Sequence, residues 1–459
     1  MGAGKSTLGA ALADRIGRPF VDLDPEIERS AGASIPELFA RDAFRAAEEQ
    51  VALERLESPV PSVIAFGGGA VETTSIRAAL EERATTLLVA IDVETAWQRV
   101  VGSDRPLAQD ADAFAELYEQ RQPLYARCAD ATVDDLADAL LVAAGVHVEQ
   151  GALERLGELV PGAGPVALVA DPRVMGIHGA AVQLALGDRL VSTHELPTGE
   201  EAKTAAAVER LWEALRLDRG GTIVALGGGC TTDAAGFAAA TYLRGVAWVP
   251  VPTTLVGQVD AAIGGKTALN LAAGKNLAGA FHWPARVAID PATLATLPAS
   301  ERSEGMAEVV KTGLLAGEPL WELPEPELVR RCAAYKSALC LRDPLDRGER
   351  AVLNLGHTFA HALEAAGGYG EVSHGRAVGL GLLAALRLSG LDTDVVEQTL
   401  RPEPVAVDRD HAWAALARDK KAEGGRVRLV LLERPGVPVS GVERPDAEVR
   451  AALDALIRR

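Results

Sequence analysis

Glu308 in GMAEVVK, His357 and His361 in LNLGHTFAHALE, and His374 in SHGRAVG bring one carboxylate and three imidazoles into the last third of the chain. A carboxylate plus two imidazoles with an open position is the composition of a catalytic Zn²⁺ site. His357 and His361 stand four apart, on one face of a helix. Spacing does not say which two histidines ligate, and for this pair alone, helix histidines satisfied by hydrogen bonds are an equal reading. His147, His178, His194, His282 and His411 have no comparable company.

The cations are as unevenly placed. Thirty-eight arginines stand against eight lysines (Lys5, Lys203, Lys266, Lys275, Lys311, Lys336, Lys420 and Lys421), and asparagine occurs only as Asn270, Asn276 and Asn354. A compact ammonium with movable donors is kept where a planar guanidinium does not serve. Gly4-Lys5-Ser6-Thr7 is the back end of GxxxxGK[ST], in which backbone amides cradle phosphates, Lys5 reaches the outer phosphates and the Ser6 hydroxyl binds Mg²⁺. The first glycine of that pattern, and the strand that delivers the chain into the loop, would fall ahead of Met1.

Asp22 and Asp24 alternate along PFVDLD, which as a strand points them to opposite faces, one toward Mg²⁺ and the other toward a substrate hydroxyl. Arg45, the triglycine Gly67-Gly68-Gly69, Arg105 and Arg121 follow. Separated arginines suit a small anionic acceptor and a charged phosphoryl transition state. Further on, TIVAL runs into Gly227-Gly228-Gly229 and a helix bearing Asp233, where backbone can approach a pyrophosphate. Asp260, Lys266, Asn270, Lys275 and Asn276 then crowd one glycine-rich segment, a polar density suited to a phosphorylated, hydroxylated ligand.

These residues need elements to hold them. The first ~140 residues alternate short apolar runs (PFVDLD, SVIAFGGG, TLLVAID) with helical patterns, which predicts an α/β sandwich on a parallel sheet. A second alternation begins near Val146 and runs through PVALVADP, RLVSTHEL, TIVALGGG and AWVPVPTT to RVAID. Beyond Asp290 the pattern is helical, apart from the strand-like RVRLVLLE. Three parts follow: 1–143, an α/β phosphate-loop domain lacking its first strand; 144–290, a Rossmann-like α/β domain; and 291–459, a mostly helical metal-binding domain. PGAGP at Pro161 to Pro165 is the most linker-like string by composition.

A chain of 459 residues exceeds one hydrophobic core, and a formal charge of -18 argues against nucleic acid or an anionic membrane as partner. The few cations must then be placed locally, for small anionic substrates. Cys128, Cys230, Cys332 and Cys340 form no CxxC pair, no apolar run approaches the ~20 residues of a membrane helix, and a cytoplasmic location is expected.

Residues 1–143 resemble shikimate kinase, on GAGKST, the PFVDLD aspartates, AFRAAE, the triglycine, RPLA and RQPLY. The resemblance implies that Asp24, Arg45, Arg121 and Gly67 to Gly69 hold shikimate, that Gly4, Lys5, Ser6 and Thr7 hold ATP with Mg²⁺, that Asp22 assists the metal, and that Arg105 lies on a lid. From about residue 145 onward the chain resembles 3-dehydroquinate synthase, on the ordered set GGGCTTD, TYLRG, PTT, VDAAIGGKT, GKN, GMAEVVK, LNLGHTFAH, HGRAVGLG and RDKK. That resemblance implies Zn²⁺, or Co²⁺, on Glu308, His357 and His374. NAD would lie against Asp171, Glu200, Lys203, Gly227 to Gly229, Asp233, Thr253, Thr254, Lys275 and Asn276. Arg244, Asp260, Lys266, Asn276, Lys311, Lys336, Arg350, Asn354, His361 and one of Lys420 and Lys421 would surround a seven-carbon keto-acid phosphate.

The implied protein is a fusion for two non-consecutive steps of aromatic-precursor biosynthesis, homodimeric through its synthase part. Two other readings compete: an NAD-and-metal polyol dehydrogenase or another sugar-phosphate cyclase on the same fold, and a first block that serves only as a structural attachment. The lysine and arginine array argues against the dehydrogenase, because a simple polyol carries no phosphate.

Overall fold

The computed structural model describes residues 2–102, 109–368, 371–422 and 426–458, without the side chains of 418–422. The chain divides into two compact units, Met1–Ala144 and Gly145–Arg459. The PGAGP string is internal to the second unit, between the helix Leu156–Leu159 and the strand Val166–Ala170, so linker-like composition there marks a tight turn. No described helix is long and apolar enough to cross a membrane.

In the first unit, strands Phe20–Asp22 and Val63–Ala65 pair in parallel, and Leu87–Val89 pairs in parallel with Ala131–Val133. Each pair is its own two-stranded ribbon. Leu23, Ile27, Val51, Ile76 and Leu80 pack the helices against one another. The expected strand PFVDLD stops at Asp22, which corrects the alternation argument: Asp24 belongs to the helix Leu23–Ala31. The Asp22 carboxylate caps that helix by accepting the Asp24 N–H at 3.2 Å. An aspartate before a helix with proline in its first turn satisfies an otherwise unpaired donor, and that local bond prevails over strand continuation.

The second unit is built on a parallel sheet ordered Leu190–Glu195, Val166–Ala170, Thr222–Gly227, Ala247–Pro252. Its central strands are buried on both sides. Ala167, Val169, Ile223 and Ala225 enter one core with Val208, Leu211 and Trp248, while Leu168, Ala170, Val224 and Leu226 enter another with Leu156 and Val182. This two-residue alternation between two apolar cores explains why the strands read as continuous apolar runs. Of the glycine-rich segment, Lys266–Leu271 and Gly274–Phe281 form an antiparallel hairpin that carries Lys266, Asn270, Lys275 and Asn276. RVRLVLLE likewise acquires a partner that the pattern did not give, Val437–Val442. The remainder is helical, with a core of Val310, Leu314, Phe359, Leu363, Leu382 and Leu416 among others.

Candidate functional sites

In the first unit, Gly4 takes φ 80° just before the helix Lys5–Ile16, a left-handed turn that glycine adopts without a Cβ penalty. The turn sets Ser6 so that its hydroxyl donates to Asp22 Oδ2 at 2.5 Å. Beyond it, Arg45 donates to Glu48 at 2.5 Å and to Glu72 at 2.7 Å, and Arg121 reaches the other Glu72 oxygen at 2.8 Å. The Tyr125 hydroxyl donates to the Gly68 carbonyl at 2.7 Å. A Cβ on Gly67 would stand 3.8 Å from Asp24 Oδ1, and one on Gly69 would run into the Arg45 guanidinium. Asp24, the triglycine and both arginines are therefore neighbours.

Glu48 and Glu72, which organise the two guanidiniums, were not singled out. Glu48 sits three residues after Arg45, a helical spacing that offered a signal; Glu72 lies far from Arg121 in sequence and offered none. Burial pushes the Glu48 carboxyl up from its ordinary value despite the Arg45 pairing. Arg105 lies outside the described residues.

In the second unit the polar residues lie at the carboxyl ends of the parallel strands. Asp171 follows Val166–Ala170, Gly227 ends its strand, and Thr253 follows Ala247–Pro252 and donates its N–H to the Gly227 carbonyl at 3.0 Å. Ligands of open α/β sheets bind at this edge. Asp171 caps the helix Pro172–Leu186, accepting from the Arg173 N–H at 2.8 Å. Lys203 pairs with Asp233 at 2.5 Å and touches Asn276. Glu200 holds Lys275 at 2.8 Å and Asn270 at 2.7 Å. The hairpin thus delivers Asn270, Lys275 and Asn276 to the triglycine helix Gly229–Thr241.

Next to this lies a chain of ion pairs. Asp260, in the turn Gly257–Ala261, meets Lys311 at 3.1 Å and touches Lys336. Lys311 also touches Glu308, three residues earlier on the helix Ala299–Ala316. Burial drives the Lys336 ammonium down to about 8 despite the carboxylate beside it. Arg350 is buried and donates to the Gly264 carbonyl at 3.0 Å. Lys266 touches Asp346, a residue the sequence reading passed over.

Glu308, His357 and His374 converge, with one donor atom from each inside 4.8 Å of the others. His374 Nε2 is 3.0 Å and His357 Nε2 3.5 Å from Glu308 Oε1. Both histidines open helices, His357–Ala366 and His374–Leu388, so the fold fixes their backbones at the helix mouths. Burial disfavours charge on Glu308, yet Lys311, His357 and His374 hold its carboxyl well below the usual range. Burial and the Lys311 ammonium lower His357. Burial opposes charge on His374 as well, but bonds to Glu308 and Glu364 win and raise it to about 10. Three donors within 4.8 Å of one another, one of them a carboxylate kept ionised, fit a divalent ion of the zinc type.

Glu364 was also missed; it is buried and lies 3.3 Å from His374 Nδ1. His361 stands beside the triad, its ring 5.6 Å from that of His357. Arg244 and Asn354 are exposed, and among the described residues neither side chain makes a hydrogen bond or ion pair with this cluster. The side chains of Lys420 and Lys421 lie outside the described residues.

A family model described as shikimate kinase matches residues 1–144, 3-dehydroquinate synthase N-terminal matches 193–304, and 3-dehydroquinate synthase C-terminal matches 305–422. The 3-dehydroquinate synthase of Bordetella pertussis is 42% identical over 346 residues, covering 68% of this chain and 96% of the relative. That of Gloeobacter violaceus is 43% identical over 346 residues with the same coverage. Among solved structures, 2-epi-5-epi-valiolone synthase from Streptomyces hygroscopicus, with NAD⁺ and Zn²⁺ bound, shares 26% identity at a TM-score of 0.60, covering 68% of this chain and 96% of that one. A 2-deoxy-scyllo-inosose synthase shares the fold, at 24% identity and a TM-score of 0.61, with the same coverage. Fold, ordered motifs and relatives agree: the chain belongs to the 3-dehydroquinate synthase family and carries a shikimate kinase region ahead of it, two parts of the shikimate pathway in one protein.

Proposed function

We propose that the second unit converts 3-deoxy-D-arabino-heptulosonate 7-phosphate to 3-dehydroquinate and phosphate, using NAD and a zinc-type metal, and that the first unit phosphorylates shikimate with ATP and Mg²⁺. The observation that carries the synthase reading is the adjacency of the Glu308, His357 and His374 triad to the Lys311, Asp260 and Lys336 chain. When bound, NAD supplies a reversible hydride acceptor and the metal supplies Lewis acidity toward substrate hydroxyls.

The chain's own residues do the rest. Glu308, His357 and His374 hold the metal. Asp171, Glu200, Lys203, Asp233, Thr253, Thr254, Lys275, Asn276 and the triglycine hold the dinucleotide at the strand ends. Lys266, Lys311, Lys336 and Arg350 exchange their present carboxylate and carbonyl partners for the substrate's carboxylate and phosphate, joined by Arg244, Asn354 and one of Lys420 and Lys421, while Asp260 and His361 handle protons at its hydroxyls. In this reading residues 144–290 carry the dinucleotide, residues 291–459 carry the metal, and the protein dimerises through these parts.

In the first unit, Gly4, Lys5, Ser6 and Thr7 hold nucleotide, Asp22 helps Ser6 hold Mg²⁺, Asp24, Arg45, Arg121 and Gly67 to Gly69 hold shikimate, and Arg105 closes over the phosphate. The neighbourhood of the triglycine, Arg45 and Arg121 supports it. The separation of its sheet into two ribbons favours the second reading, a first unit that is only an attachment.

Assays on the full chain decide. The synthase reading expects phosphate release from the heptulosonate phosphate with catalytic NAD and no accumulation of NADH; steady NADH formation from a polyol would replace it with a dehydrogenase. The kinase reading expects ATP-dependent phosphorylation of shikimate that Lys5→Ala abolishes, and no phosphorylation by the unaltered chain favours the attachment.

A further inference from the structure

Two guanidiniums of the first unit share one carboxylate. Glu72 Oε2 accepts from Arg45 at 2.7 Å and Glu72 Oε1 accepts from Arg121 at 2.8 Å, so the group bridges the pair with one oxygen to each. A planar anion between planar cations is how arginines grip the carboxylate of a small ligand. Here the carboxylate belongs to the chain itself. Arg121, Gly67 and Gly68 also line the same cavity as Lys5 of the phosphate loop, so the bridge stands beside a space open to a ligand.

The two arginines differ in what they keep when Glu72 leaves. Arg45 still has Glu48, which is buried. The Arg121 side chain is 5% exposed, and among the described residues its ion pair is with Glu72. A buried guanidinium without a counter-charge is strongly disfavoured, so Glu72 leaves Arg121 only when another anion replaces it. The backbone beneath Glu72 is fixed: its N–H donates to the Gly69 carbonyl at 3.0 Å, and Arg77 donates to the carbonyls of Val71 at 2.6 Å and Glu72 at 2.9 Å. The Glu72 side chain is 37% exposed, so rotation about its own bonds takes the carboxylate into water while the turn Ala70–Glu72 stays in place.

We infer that Glu72 is a built-in stand-in for the substrate carboxylate: it occupies the anion subsite between Arg45 and Arg121, lowers the apparent affinity for shikimate, and admits only ligands that bring a negative charge of their own. This role rests on the reading of Arg45 and Arg121 as part of the shikimate site. Binding is then an exchange of one carboxylate for another, in which Glu72 turns outward as the ligand's carboxylate moves in. A neutral ester of the same skeleton does not complete the exchange, because it leaves Arg121 unpaired. A subsite that stands open about a tenth of the time raises the apparent Kd about tenfold over the intrinsic one.

The test measures binding to the full chain by isothermal calorimetry, for the unaltered protein and Glu72→Gln, with circular dichroism as the check on folding. Three probes are used: shikimate; cyclohex-1-enecarboxylate, which keeps the ring and carboxylate without the hydroxyls; and methyl shikimate, which keeps the hydroxyls and loses the charge. Glu72→Gln is expected to bind both carboxylates about fivefold or more tightly than the unaltered chain does, and the ester no better. Shikimate bound equally or more weakly by Glu72→Gln overturns the stand-in and makes Glu72 a support that aims the arginines. An equal gain for the ester overturns the exchange of charge. Tighter cyclohex-1-enecarboxylate binding with no shikimate binding in either form keeps the stand-in and removes the shikimate reading, whereas no binding of either carboxylate to either form overturns the stand-in. Where Glu72→Gln does not fold, Glu72→Asp, which keeps the charge on an arm too short to bridge both guanidiniums, is read with the same probes against the same outcomes.

Discussion

Glu364 Oε1 lies 3.3 Å from His374 Nδ1, on the far side of the ring from the Nε2 that faces Glu308. A carboxylate at one ring nitrogen fixes the tautomer and presents the other nitrogen to a metal, and losing such a partner typically weakens metal binding 10- to 100-fold. Glu364→Gln is therefore expected to lower zinc affinity by about that factor. Chelator competition with circular dichroism as a check on folding measures it; unchanged affinity would show that the contact does not orient the ring.

Lys336 sets a pH limit. Its ammonium is lost above about 8, so binding of an anionic substrate should fall through an alkaline limb near that pH. Lys336→Arg, in variants that retain turnover, should move the limb upward, because a guanidinium does not titrate there. The stability effect has the opposite sense. The folded value lies below the ordinary 10.5, the unfolded chain binds more protons between the two, and this group's contribution to stability rises across that window. A pH series of kcat/KM and of denaturation midpoints checks both signs.

Gly69→Ala separates binding from folding. The backbone φ of -94° accepts alanine, but the new Cβ would meet the Arg45 guanidinium. Arg45 must then turn away from Glu72. We expect the Kd for shikimate to rise at least tenfold while stability changes by about 1 kcal/mol or less. Isothermal calorimetry with shikimate measures the first and thermal unfolding the second. A loss of stability with unchanged shikimate affinity would contradict the assignment of Arg45.

Asp22 has two jobs that two substitutions can pull apart. Asparagine caps helices about as well as aspartate, so Asp22→Asn should keep stability and lower Mg²⁺-dependent turnover, because Ser6 then faces a neutral amide. Asp22→Ala should lose turnover and also about 1 kcal/mol of stability. Unfolding curves and Mg²⁺ titrations of kinase activity distinguish the two; equal turnover in Asp22→Asn and the unaltered chain would confine Asp22 to the cap.

Residues that share a short segment are legible from their order along the chain. The succession of GGGCTTD, PTT, GMAEVVK, LNLGHTFAH and HGRAVGLG points to the family and to the expected triad, and the apolar runs of the second unit become its parallel strands because each is buried on both faces. The failures have physical causes. Asp24 leaves its expected strand because a capping bond at Asp22 starts a helix, and the hairpin pairing of the glycine-rich run had no local signal because its two halves satisfy each other's backbone groups. Glu72, Asp346 and Glu364 are invisible as site residues in the sequence, since a carboxylate acquires its meaning from the cation or imidazole it meets across the fold.

By itself, then, the sequence determined the family, the parallel strands and the residue types able to grip phosphate and metal, because these depend on local pattern and on chemistry each side chain carries alone. Only the tertiary structure decided which donors converge, which carboxylates pair with the cations, and that the described strands of the first unit form two ribbons. Convergence and charge pairing are set by packing between segments tens to hundreds of residues apart in the chain, and no local spacing encodes them.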